Sequence, residues 1–220
     1  MAVVEISGIR IPDSRLAREA SEFVRETESK LLFEHSTRVY FWGAMAGRQR
    51  GVNFDAELLF AAAMFHDVGL TSRFNESRLR FEIDGANAAR DFLRSHGVSE
   101  DDIQKVWLAI ALHTTPGISA HLDSIAALTV EGVMMDLVGA GYDRFGENQR
   151  AAVEATYPRG ANFIEHLLQA LYDGLEHRPE VTQGTGLADV MADKNPHFNR
   201  RDFCCLMRNS PWACDDCSSS

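Results

Sequence analysis

A histidine followed directly by an aspartate, His66-Asp67, closes the most apolar stretch of the chain, DAELLFAAAMFHDVG. A neutral imidazole and a carboxylate are both good ligands for a borderline divalent ion. Adjacent helical residues point about 100° apart, so both side chains face one ion only where the helix ends or distorts. Gly69 supplies such an end. Other segments carry polar residues in equally apolar settings. His35 shares a helical stripe with Leu31, Leu32, Val39 and Trp42. Asp136 lies between Met135 and Leu137 in EGVMMDLVG, and His113 follows the apolar run of AIALHTTPG. Burying an unpaired carboxylate is costly, so Asp136 needs an arginine, a hydrogen-bond network or a cation. One shared metal site accounts for all of these residues. The competing reading is a set of unrelated core polar groups, each satisfied on its own.

These residues need rigid supports, and the spacing supplies helices. Strand-like alternation is scarce and helical periodicity frequent. Ser14 is placed to cap a helix over about 15–28, and a second runs over about 30–50 to Gly51. Asp55 caps a third, apolar almost all round and so central to the core. TSRFNESRLRF reads as an Arg-rich loop. Further helices are expected over about 85–95, from Ser99 to near His113, and over about 122–138, 147–157 and 162–176. A short apolar turn follows at 187–191. The aromatic-rich tail is expected to pack on the domain. With 220 residues and 45% apolar content, the fold class is all-α: one multi-helix domain. An N-terminal helix (1–28) packs on a catalytic domain (29–178), and a C-terminal extension (179–220) packs on it in turn.

The order His35, then FHDVGL with His66 and Asp67, then Asp136 resembles the HD superfamily of metal-dependent phosphohydrolases. EHSTRVYFWG, AMFHDVGL, RFEIDGANAARDFL, IALHTTPGI and LMRNSPW are together similar to its cyanamide hydratase branch, from about Phe33 to Trp212. The resemblance implies metal ligands at His35, His66, Asp67 and Asp136. It also implies catalytic roles for Asp67 and for His113 and His121, which would line the pocket. Glu82 is a further catalytic candidate, or else a helix-entry residue paired with Arg80. Arg38 reads as a structural ion pair before a substrate holder, and Phe41 and Trp42 as core. The acidic residue that HD nucleotidases carry shortly after the HD pair is absent from Val68, Gly69, Leu70 and Thr71. Leu70 replaces the lysine of the HD-GYP phosphodiesterases, and Gly141 to Asp143 reads GYD.

The implied cofactor is one divalent transition metal. Zinc suits the ligands best, and iron, manganese, cobalt and nickel tolerate them. Metal binding lowers the pKa of water from about 15.7 to roughly 7. The resulting hydroxide would attack a small-molecule substrate, with His113 or His121 relaying the proton. The resemblance points to cyanamide, hydrated to urea. The rival is phosphomonoester or nucleotide hydrolysis, with Arg73, Arg78 and Arg80 receiving phosphate. A non-catalytic metal-binding protein is the third reading.

A net charge of -10 argues against nucleic acid as a partner. No apolar run reaches the roughly 18 residues of a membrane span. The first residues lack a basic segment followed by an apolar one, so a cytoplasmic location is the expectation. A homo-oligomer stays open. Cys204, Cys205, Cys214 and Cys217 form CC, eight residues, then CxxC; ordinary thiols suit this spacing better than a zinc knuckle.

Overall fold

Side-chain caps start most of the helices that position the site. Ser14 accepts a hydrogen bond from the Ala17 amide and opens α1 (Arg15–Thr27). Ser29 opens α2 (Lys30–Gln49), Asp55 opens α3 (Ala56–Phe65), Ser99 opens α5 (Glu100–Ala111) and Asp123 opens α6 (Ser124–Val138). Each cap satisfies amides that the first helical turn leaves without a carbonyl partner. The computed structural model describes residues 4–115 and 117–211. The remaining helices are α4 (Phe81–Ser95), α7 (Glu147–Thr156), α8 (Phe163–Asp173), α9 (Leu187–Lys194) and α10 (Phe203–Arg208). This is the all-α architecture that the periodicity implies.

α3 is the core helix. Every residue from Leu58 to Phe65 is buried, and α1, α2, α5 and α6 surround it. α1 turns Leu16, Ala17, Ala20 and Val24 inward against it. α2 and α6 pack closest of all, because two glycines remove the side chains between them. A Cβ on Gly132 would overlap the Val39 carbonyl, and one on Gly43 the Leu128 carbonyl. Gly132 lies one helical turn before Asp136, so this approach sets how far Asp136 stands from α2. Gly132→Ala is expected to cost about 1–3 kcal/mol through overpacking. Chemical denaturation of the variant beside the natural chain checks it.

The chain beyond α7 carries a second apolar cluster. Phe163 and Leu167 of α8 and Leu187 and Met191 of α9 meet Leu32, Leu70 and Phe81. Arg178 fastens it: the guanidinium is fully buried, pairs with Asp84, and donates to the Gly69 carbonyl at 2.7 Å and the Leu79 carbonyl at 2.8 Å.

Three local expectations change. α4 begins at Phe81 rather than near Gly85. Gly85 sits inside the helix because a side chain there would crowd the Phe65 carbonyl. A hairpin of β1 (Glu5–Ile6) and β2 (Ile9–Arg10) precedes α1, turned by Ser7 and Gly8 at positive φ and tied to α2 by Tyr40, which donates to the Arg10 carbonyl. In α10 the side chains of Phe203, Leu206 and Met207 are exposed, so this part of the tail does not pack as expected. Its Cys204 and Cys205 are exposed free thiols; Trp212, Cys214 and Cys217 lie outside the described residues. Among the described residues no helix is long and apolar enough to cross a membrane.

Candidate metal centre

α3 ends at His66, and a 3-10 turn over Val68–Leu70 follows directly. The change of winding brings both side chains of the His66-Asp67 pair to one corner. His66 Nε2 is 3.2 Å from Asp67 Oδ2. α2 delivers His35, whose Nε2 lies 3.3 Å from His66 Nε2 and 3.6 Å from Asp67 Oδ2. His113, just beyond the end of α5, points its Nε2 at Asp67 Oδ1 from 3.9 Å. All four side chains are buried.

The outer hydrogen bonds fix what the inner atoms are. His66 Nδ1 is 2.7 Å from the Ala63 carbonyl, and His113 Nδ1 is 2.7 Å from the Ile110 carbonyl. A carbonyl oxygen only accepts, so both Nδ1 atoms carry the proton. His35 Nδ1 likewise donates to Asp136 Oδ2 at 2.7 Å. In its neutral form each ring therefore turns an Nε2 lone pair inward, towards a carboxylate that also only accepts. Acceptors face acceptors, and a cation satisfies them all. Three ligands of a tetrahedral ion at bond lengths of about 2.1 Å stand about 3.4 Å apart. The three separations among His35, His66 and Asp67 bracket that value, so these residues fit a divalent ion.

The protonation equilibria report the same hunger for positive charge. Burial alone would raise the Asp67 carboxyl; His66, then His35 and His113, outweigh it and hold the group well below the usual carboxylate range. Burial alone would lower His66, but Asp67 reverses the shift and raises it. Burial, with His66 beside it, pushes His113 down to about 4. His113 is thus a neutral base in this corner.

Asp136 also comes to His35, but on the other nitrogen. Its carboxylate accepts from five donors: His35 Nδ1, Arg38 Nε at 2.9 Å and a terminal Arg38 nitrogen at 3.0 Å, Trp42 Nε1 at 2.9 Å, and Arg159 at 2.7 Å. The atoms that converge within 4.8 Å of one another are those of His35, His66 and Asp67. Asp136 stands one ring behind them. Trp42, expected as core, is buried and also holds this carboxylate, while Phe41 is core alone. Arg38 forms the expected ion pair. Nothing in the sequence singles out Arg159.

The other candidates fall away from the corner. Glu82 is buried and takes the Arg80 pairing, at 2.5 Å, together with a hydrogen bond from Thr114. Burial would raise its carboxyl, but Arg80, then His113, hold it low. His121 is exposed on a 3-10 turn. Arg73 lies over the Phe23 ring, and Arg78 donates to the His177 carbonyl. Another buried carboxyl behaves differently. Glu28 accepts from Ser36, its Oε1 has no partner, and burial, then Asp67, push its pKa well above the ordinary 4.5. The folded state therefore holds this proton more tightly, and stability falls as pH rises from 4.5 through the raised value. Glu28→Gln cannot ionise and escapes that loss. Urea denaturation at pH 5 and pH 8 is expected to show the variant gaining on the natural chain as pH rises.

The corner opens into a cavity of about 340 Å³. Beyond His35, His66, Asp67, His113 and Thr114, its described wall is almost wholly apolar and contains neither lysine nor arginine. Leu167 and Leu171 of α8 and Leu187 of α9 close one side.

None of the curated proteins matches the chain. The family model of the HD domain matches residues 32–152, more than half of its length, and that span holds His35, His66, Asp67, His113 and Asp136. On that match, and with the His66-Asp67 pair at the buried corner, the chain belongs to the HD domain family.

Proposed function

We propose that this chain is a metal-dependent hydratase or hydrolase acting on an uncharged carbon electrophile, with cyanamide, hydrated to urea, as the first substrate to test. HD domains are typically metal-dependent hydrolases, and the buried cluster suits a divalent ion. His35, His66 and Asp67 would hold it, and zinc, which suits two imidazoles and a carboxylate, is the first ion to test. When bound, the ion supplies a water acidic enough to ionise near neutral pH.

The chain's own groups supply the rest. Asp136 keeps the His35 proton on Nδ1 and so presents the Nε2 lone pair. His113 Nε2, neutral and within reach of Asp67, takes the proton of the attacking water and returns it to the nitrile nitrogen. Water adds across one C–N π bond to give the imidic acid, with one C–O bond formed, one proton on nitrogen and one on oxygen; the oxygen's proton then moves to nitrogen as the second C–N π bond is replaced by a C=O π bond, which gives urea. The carrying observation is the cluster of inward lone pairs opening on a wall without lysine or arginine. A phosphomonoester would bring two negative charges to that wall, and desolvating them there is costly.

The test offers zinc-loaded protein cyanamide and a panel of phosphomonoesters, measuring urea and free phosphate. Urea is the expected product. Phosphate alone would establish the phosphohydrolase reading in its place. Neither product would leave a metal-binding protein without this chemistry.

A further inference from the structure

We infer that the substrate's non-reacting part is an uncharged apolar group that fills the cavity beside His66 and Asp67, so that cyanamide meets the reacting end but leaves the apolar subsite unfilled. This rests on the hydratase reading for the reacting end but not for the apolar body. The cavity of about 340 Å³ equals the share of roughly eleven liquid waters at about 30 Å³ each. It lies at the lower end of the range for small-molecule sites. Cyanamide has three heavy atoms and would leave most of the space to water against hydrocarbon. Val133, Met134, Leu137, Leu167, Leu171 and Leu187 make that hydrocarbon surface. The polar groups gather at the histidine corner, with Thr114 beside it. A molecule that matches this distribution has one polar reacting end and an apolar remainder. A charged remainder finds no counter-ion in the described wall.

The position of the wall adds a second argument. Leu167, Leu171 and Leu187 lie beyond residue 152, where the family match ends. The metal corner belongs to the shared domain, whereas this side of the cavity is built by α8 and α9. Selectivity for the apolar group is therefore added by α8 and α9.

The experiment reads binding and turnover separately on the zinc-loaded full chain. Calorimetry with the n-alkyl amides from acetamide to hexanamide measures the apolar body without catalysis. Affinity is expected to rise about fourfold per added methylene until the cavity is full. Acetonitrile to hexanenitrile, assayed for amide, should show the same rise in kcat/KM. A flat or falling amide series overturns the inference, even if cyanamide is hydrated. A rising amide series with no nitrile turnover upholds the apolar site and removes the hydratase reading alone. Leu171→Trp narrows the cavity and should cut the hexanamide-to-acetamide affinity ratio at least tenfold. An unchanged ratio in the folded variant would show that the chain binds elsewhere, and the inference would fall.

Discussion

Asp136→Ala is expected to lower folding stability by about 3–5 kcal/mol, the cost of stripping one partner from a buried ion pair. The Arg38 side chain is fully buried, and Asp136 is the only carboxylate it meets among the described residues. The same truncation takes away the acceptors of Trp42 and Arg159 and the orienting partner of His35. Chemical denaturation in the presence of a chelator measures this cost without any contribution from bound metal. Asp136→Asn separates architecture from ligation. It keeps the shape but loses the charge opposite Arg38. In the observed geometry Asp136 acts on the ion through His35, so the amide should weaken zinc affinity by about 10–100-fold rather than abolish binding. Complete loss of zinc from a folded Asp136→Asn protein would instead restore Asp136 to the ligand shell that the sequence resemblance implies.

His66→Ala is expected to do the reverse: little to the fold and nearly everything to the site. Its ring makes one outward hydrogen bond, to the Ala63 carbonyl in the last turn of α3, and otherwise faces the corner. Removing it leaves two of the three converging donors. Zinc content measured after dialysis should fall to background, and turnover should drop by on the order of a thousandfold or more. Circular dichroism should remain that of a helical protein. A His66→Ala protein that retained stoichiometric zinc would remove this corner as the metal site.

Much of this was legible in the sequence because the signals were local. Ser14, Asp55 and Ser99 announce helix starts through their own side chains, and the structure uses each of them as a cap. His35, His66, Asp67 and Asp136 stood out as polar residues on apolar stripes, and they do meet. The side of the ring on which Asp136 arrives was not legible, since it depends on how closely Gly43 and Gly132 allow α2 and α6 to approach. Gly85 misled because glycine marks a helix boundary as often as a close crossing, and only packing on Phe65 distinguishes them. His121 carried a matching motif but is exposed to solvent. Arg159 and the wall of α8 and α9 came from segments with no chemical signature of their own.

The fastening of the segment beyond α7 by Arg178 has a practical consequence for anyone trimming the chain. A fragment cut at the limits of the family match, 32–152, would retain every histidine of the corner. It would lose Arg178, which satisfies Asp84 and the Gly69 and Leu79 carbonyls around the turn after Asp67. Leu70 and Phe81 would be bared where α8 and α9 now cover them. Such a fragment would present hydrocarbon and an uncompensated acid on a fresh face, and self-association is its expected fate. Minimal folded versions should therefore run past α9, and mutational libraries confined to residues 32–152 would leave the α8 and α9 side of the cavity unsampled.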